Sequence, residues 1–239
     1  MIPLRDINPT ERRPWLTYTL LAANILVFGY QVSLDDEAGR DLVLRLGMVP
    51  HHLGQALSLG SLATPLTSMF LHGDLLHLAS NMWFLYVFGD NVEDRLGRPR
   101  FIVFYLLCGL CAAIAQIAVD PTSMIPMVGA SGAISGVLAA YVWMFPSARV
   151  VTLVPVFVLL LVREVPAVFF IVVWFGLQLL SGIGSLSTVG TQSGGVAFFA
   201  HIGGFVAGLA LVVVLGGRRT KRTATRRRRR WHTRGGSAQ

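Results

Sequence analysis

Ser131, His201, Asn81 and His77 are the residues of this chain whose types and placement admit chemistry. Each stands near the start of a long apolar segment, where a polar side chain is costly and marks a functional candidate. A serine hydroxyl is a poor nucleophile at neutral pH and needs a base to take its proton. Histidine suits that role, with an unperturbed pKa of about 6.5. A third group often orients such a histidine, but Asp74 and Asp120 fall in loops, and Glu93 and Glu164 lie toward the other ends of the segments. The sequence therefore predicts a Ser131–His201 dyad, with packing holding the imidazole in place. Ser131 is expected in the first turn of its helix, where backbone amides lack intrahelical acceptors and the dipole is positive. Asn81 offers an amide NH2, and His77, four residues earlier, shares its helix face. These donors compose a candidate oxyanion hole.

The elements that must position these groups are membrane spans. The 239 residues are 54% hydrophobic and only 13% charged, against about 25% charged in soluble domains. Six segments approach the roughly twenty apolar residues that cross a bilayer: Trp15–Leu34, Leu75–Val92, Phe101–Val119, Gly129–Phe145, Val165–Ser181 and Ala197–Gly216. The expected fold is all-α and polytopic, a bundle of six transmembrane helices. Trp15–Leu34 reads as a retained signal anchor, since Asp35, Asp36 and Glu37 follow it and no small-residue cleavage site does. Val150–Val162 is also apolar but only thirteen residues long, between Arg149 and Arg163-Glu164. It is too short to cross and is expected to be interfacial or re-entrant. With six spans, eighteen of the twenty Lys and Arg fall on one side and only Arg40 and Arg45 on the other. The positive-inside rule makes the larger set cytoplasmic, both termini included, in a multi-pass protein of the cell membrane. Spans 2, 4 and 6 then run inward, and the four polar groups converge at one depth, about a turn below the outer surface.

Small residues predict which helices touch. Gly132, Gly136 and Ala140 repeat every four residues on span 4, as do Ala200, Gly204 and Gly208 on span 6. Such stripes let two backbones approach closely. If they face each other, Ser131 and His201 meet at their outer ends.

These residues carry a family resemblance. Gly129-Ala130-Ser131-Gly132 matches a G-x-S-G motif, and Ala200-His201-Ile202-Gly203-Gly204 with Gly208 matches a motif on the last span. His72, His77 and Asn81 match a pattern on span 2, and Gly89, Glu93 and Gly97 match G-x-x-x-E-x-x-x-G at its end. Over roughly Trp15 to Leu215 the chain resembles the bacterial rhomboid intramembrane serine proteases. The resemblance implies a six-helix core, a dyad at Ser131 and His201, and oxyanion roles for His77 and Asn81. It implies peptide hydrolysis through an acyl-enzyme, on single-span membrane proteins cut near the outer ends of their helices. Two positions depart from the pattern: Ser135 stands where some members place an aromatic, and Ala63-Thr64 where some carry Trp-Arg.

The remaining features read more plainly. His72 is expected to order the outer loop, and Glu93 to clamp loop N–H groups. Cys108 and Cys111, within one span, read as packing thiols. His51-His52 lack carboxylate or thiol partners nearby, so neither metal nor cofactor is expected. The Gly- and Ser/Thr-rich loop Gly182–Gly195 could serve as a lid. Residues 1–14 form a cytoplasmic segment, 15–216 the membrane domain, and 217–239 a basic, disordered tail whose nearest partner is anionic lipid and not nucleic acid. Two other classes compete: a catalytically silent rhomboid-like protein that binds membrane helices, and a small transporter. Loss of Ser131 or His201 would mark the first, and internal repeats the second; the sequence has neither mark.

Overall fold

Six long helices follow the six apolar segments, and their ends are set by specific contacts. The structure is a computed structural model and describes residues 1–55, 58–156, 159–185 and 197–219; the tail from 220 and loop residues 186–196, where most of the expected lid falls, lie outside them. Helix α1 spans Trp15–Ser33, α5 Leu75–Leu96, α6 Arg98–Val119, α7 Ser131–Met144, α8 Ala167–Ser185 and α9 Phe198–Val214. The link from α1 to α5 folds into three shorter helices, α2 (Asp36–Leu46), α3 (Pro50–Gln55) and α4 (Leu59–Thr67). Trp15–Ser33 and Arg98–Val119 are each long and apolar enough to cross a membrane on their own composition. The fold is a polytopic helical membrane bundle, as expected.

Acidic residues take up helix-start amides in place of water. Asp74 caps α5 by accepting from His77 N at 2.7 Å. Glu93, near the other end of α5, accepts from Leu16 N (3.0 Å), Thr17 N (2.7 Å) and Thr17 Oγ1 (2.8 Å). Helix α1 has no side-chain cap of its own, so this buried carboxylate satisfies its orphan amides. Glu93 thus clamps a helix start, where a loop was expected. Gly97, at φ 77°, turns the chain from α5 directly into α6.

The segment Val150–Val162 is a β-hairpin, an element the all-α reading did not contain. Strand β2 (Arg149–Val156) pairs antiparallel with β3 (Leu159–Pro166), and β1 (Ile2–Asp6) joins the outer side of β2. A nearly continuous apolar run carries no periodicity that separates strand from helix, but the Val-rich composition favours strands. The N-terminal strand is tied to the helices by Asp6, whose carboxylate accepts from Asn91 Nδ2 (2.7 Å) and Tyr141 OH (2.9 Å). Trp83 Nε1 donates to the Pro3 carbonyl.

Helix α7 lies at the centre, with every residue from Gly132 to Tyr141 buried. Its fourteen residues extend about 21 Å at 1.5 Å each, short of the roughly 30 Å hydrocarbon core. The two ends of the helix therefore cannot both lie at a membrane surface, and α7 must begin or end within the bilayer. Cys108 on α6 is buried beside Gly136, and Cys111 is half-buried; neither forms a disulfide among the described residues.

Candidate functional site

The site is built where α7 starts. Gly129 adopts φ 118°, a conformation that disfavours any side chain, and donates its N–H to the Ser68 carbonyl at 2.9 Å. A Cβ there would also fall 2.7 Å from His77 Nε2. This glycine turns the backbone so that Ser131 becomes the first residue of α7, half-buried.

His201 occupies the first turn of α9 and is 8% exposed. Its Nε2 lies 2.8 Å from Ser131 Oγ, a hydrogen-bond distance between residues seventy positions apart. Glycine makes the approach possible. A methyl group on Gly204 would collide with the main chain of Gly132, and one on Gly208 with that of Gly136. The two small-residue stripes face each other, backbone to backbone.

Asn81 and His77 enter from α5. Asn81 is buried, and its Nδ2 has no hydrogen-bond partner among the described residues. That donor lies 3.5 Å from the Cβ position of Gly129, and His77 Nε2 is on the same side of the turn. Both groups thus flank the backbone two residues before Ser131. An unpaired buried N–H2 costs stability, and it is the kind of group that a developing oxyanion would satisfy. The first-turn amides of α7, including those of Ser131 and Gly132, add donors at the same end.

His72 lies just before α5, and α1 holds it. Gln31 Oε1 accepts from His72 N (3.0 Å), and Gln31 Nε2 donates to His72 O (3.1 Å). The His72 ring is buried edge-on to His77, centroids 5.2 Å apart. Burial, then the neighbouring His77, pushes His72 down to about 4, so it is neutral at physiological pH. Both bonds run through the main chain of residue 72, and neither ring nitrogen has a hydrogen-bond partner among the described residues; Gln31, which does the holding, carries no motif that a sequence reading could have found.

His77, Asn81, Ser131 and His201 all line one cavity of about 810 Å³, whose apolar walls include Phe84 on α5 and Trp174 on α8. The Trp174 and His201 ring centroids are 6.0 Å apart. Ser135, the departure on α7, is fully buried and donates its hydroxyl to the Ser131 carbonyl at 2.7 Å. Sequence reasoning did not find Trp174, because an aromatic within an apolar span has no distinguishing pattern.

Comparison with known proteins places the chain among similar ones. A family model for the Rhomboid domain matches residues 60–218. The chain is 31% identical over 137 residues to the Rhomboid protease GluP of Bacillus subtilis, covering 57% of this chain and 26% of that protein. It is 30% identical over 154 residues to the chloroplastic Rhomboid-like protein 11 of Arabidopsis thaliana, covering 62% and 51%. With the mitochondrial Rhomboid protein 1 of Saccharomyces cerevisiae it shares 27% over 144 residues, covering 58% and 39%. The matched part thus spans from a quarter to about half of these relatives.

Proposed function

The chain belongs to the rhomboid family, and from that premise we propose that it is an intramembrane serine endopeptidase with Ser131 as nucleophile and His201 as general base. The observation that carries the reading is the 2.8 Å contact between Ser131 Oγ and His201 Nε2, made across a helix interface that only glycine permits. The family includes proteins named as proteases, and this geometry is that of an activated serine.

In the proposed reaction Ser131 Oγ attacks the scissile carbonyl carbon while His201 Nε2 takes the hydroxyl proton. Negative charge passes to the carbonyl oxygen, where Asn81 Nδ2, His77 and the first-turn amides of α7 stabilise it. The intermediate collapses as His201 returns the proton to the leaving amine, and an ester to Ser131 is left. A water then attacks the ester carbon, His201 takes one of its protons, and the acid product leaves as Ser131 Oγ is reprotonated. The 810 Å³ cavity gives water and a peptide segment room beside the dyad.

The substrates are membrane proteins cut near the outer ends of their helices. The chain resides in the cell membrane with both termini cytoplasmic, its catalytic domain running from 15 to 216. The arginine-rich tail, outside the described residues, is suited by its charge to anionic lipid headgroups. Labelling with a serine-reactive fluorophosphonate in detergent extracts tests the core of this reading. The wild-type chain should label and cut a model membrane substrate, and Ser131→Ala should do neither. A chain that binds such helices but never labels is a silent member of the family, and the proposal fails.

A further inference from the structure

Arg12, Arg13 and Arg98 line a second cavity, of about 320 Å³, where the start of α1 meets the turn from α5 into α6. Glu93 and Asp94 stand in the same wall, but main-chain amides engage both carboxylates. Glu93 takes the α1 amides of Leu16 and Thr17, and Asp94 accepts from Glu11 N (2.9 Å) and Arg12 N (3.2 Å). Among the described residues the one ion pair these arginines make is loose: Arg98 Nε lies 3.9 Å from Glu93 Oε1, beyond hydrogen-bond reach. Three arginines against two carboxylates leave the wall one positive charge in excess. Guanidinium groups are the side chains whose forked donors suit phosphate.

The main chain adds to the same field. Helix α6 begins here with no side-chain cap and no acidic residue in its first turn, which carries Arg98 and Arg100 instead. Positive side chains at the positive end of a helix repel it, and an anion bound among them removes that repulsion. The depth of the cavity is set by the helices that start at it. Helices α1 and α6 are the two, among the described residues, that are long and apolar enough to cross a membrane on composition alone. They begin at Trp15 and Arg98, both beside this cavity. Trp15 is exposed, as an aromatic at headgroup level is. The arginines therefore stand where lipid phosphates lie.

We propose that this cavity binds the phosphate of an anionic phospholipid, held by Arg12, Arg13 and Arg98 at the membrane surface where α1 and α6 begin. In the orientation proposed above that surface is cytoplasmic. One excess positive charge matches the single negative charge of a phosphodiester headgroup such as that of phosphatidylglycerol. Bound there, the lipid ties the start of α1 to the α5–α6 turn, the same two pieces that Glu93 joins. The site does not depend on the dyad and holds for a cutting or a silent chain alike.

The test melts the full chain in nonionic detergent with short-chain phosphatidylglycerol, short-chain phosphatidylcholine or glycerol phosphate added at equal concentrations. Expected is a thermal midpoint that rises saturably with phosphatidylglycerol and holds still with the other two. Arg13→Gln and Arg98→Gln change exposed side chains and should melt like wild type without lipid. Each should weaken the apparent affinity for phosphatidylglycerol about fivefold, and the two together about twenty-fivefold. Replacing Arg226–Arg230 by glutamine should leave the rise intact. A rise that survives the double substitution, or that is lost with the tail arginines instead, overturns the site. An equal rise with glycerol phosphate makes the occupant a soluble phosphate and overturns the lipid assignment. An equal rise with phosphatidylcholine traces the effect to acyl chains and overturns it too. No rise in the wild-type chain ends the proposal outright, whether or not the variants fold.

Discussion

Gly204 on α9 rests against the main chain of Gly132 on α7 so closely that a methyl group at position 204 would collide with the Gly132 carbonyl. The 2.8 Å contact between Ser131 and His201 depends on this approach, because each residue adjoins the same end of the two stripes.

Gly204→Ala should therefore push α7 and α9 apart. Overpacking of this kind costs about 1–3 kcal/mol, and a separation of even 1 Å can lower a rate about a hundredfold. The thermal midpoint and fluorophosphonate labelling should both fall. Gly29→Ala is the control, since a Cβ on Gly29 meets nothing within 4 Å. Wild-type labelling by the Gly204 variant would show that the interface does not set the dyad distance.

Asn81→Ala should lower kcat by roughly 10²–10³, the usual cost of one lost oxyanion donor. KM should barely move, because the charge it meets exists only in the transition state. Stability should change little, since the Asn81 Nδ2 has no protein partner to lose among the described residues. Steady-state kinetics on a membrane-peptide substrate decide the matter: a raised KM at constant kcat would make Asn81 a substrate-docking residue.

What the sequence disclosed follows the strength of each physical signal. Long apolar segments become helices because hydrocarbon leaves the backbone no other partner, so the six spans were legible to within a few residues. The meeting of the α7 and α9 stripes was legible from glycine spacing alone. The hairpin at 149–166 was not, because its mostly apolar residues carry no periodicity that separates strand from helix. The pairing of Ile2–Asp6 with β2 joins residues some 150 positions apart, which no local pattern reports. Trp174 stayed hidden for a related reason: nothing local tells an aromatic that lines the cavity from one that faces lipid.

Asp6 makes the stability of this chain depend on pH. Burial is the main cause that pushes its carboxyl from 3.8 up to about 7, and Asp90 adds to it against the opposing Tyr141 hydrogen bond. The folded state then holds a proton that the unfolded state has released between about pH 4 and 7. Stability from this group is full below the unfolded value and is lost as pH rises through about 7. Asp6→Asn keeps an acceptor for Tyr141 and Asn91 and should flatten the decline between pH 5 and 8 in thermal melts. An unchanged pH profile in that variant would place the titration elsewhere.

The six-span topology can be tested at the hairpin, where a seven-span path would invert everything downstream. Arg149 and Pro166 pair across its open end, and Ala167 N donates to the Ala148 carbonyl at 2.9 Å. The chain therefore leaves the hairpin where it entered, and α8 starts from the end at which α7 stops. In the proposed orientation that end is cytoplasmic. Ala148 and Ala167 flank the hairpin but are too buried to report accessibility, whereas Arg163 on β3 and Thr122 in the α6–α7 link are exposed. With Cys108 and Cys111 first replaced, Thr122→Cys should react with an impermeant thiol reagent added outside intact cells. Arg163→Cys should react only after the membrane is opened. Labelling of Arg163→Cys from outside would mean that the segment before it crosses. Helix α9 would then run outward, and His201, at its start, would stand near the opposite face from Ser131, too far to take a proton from it.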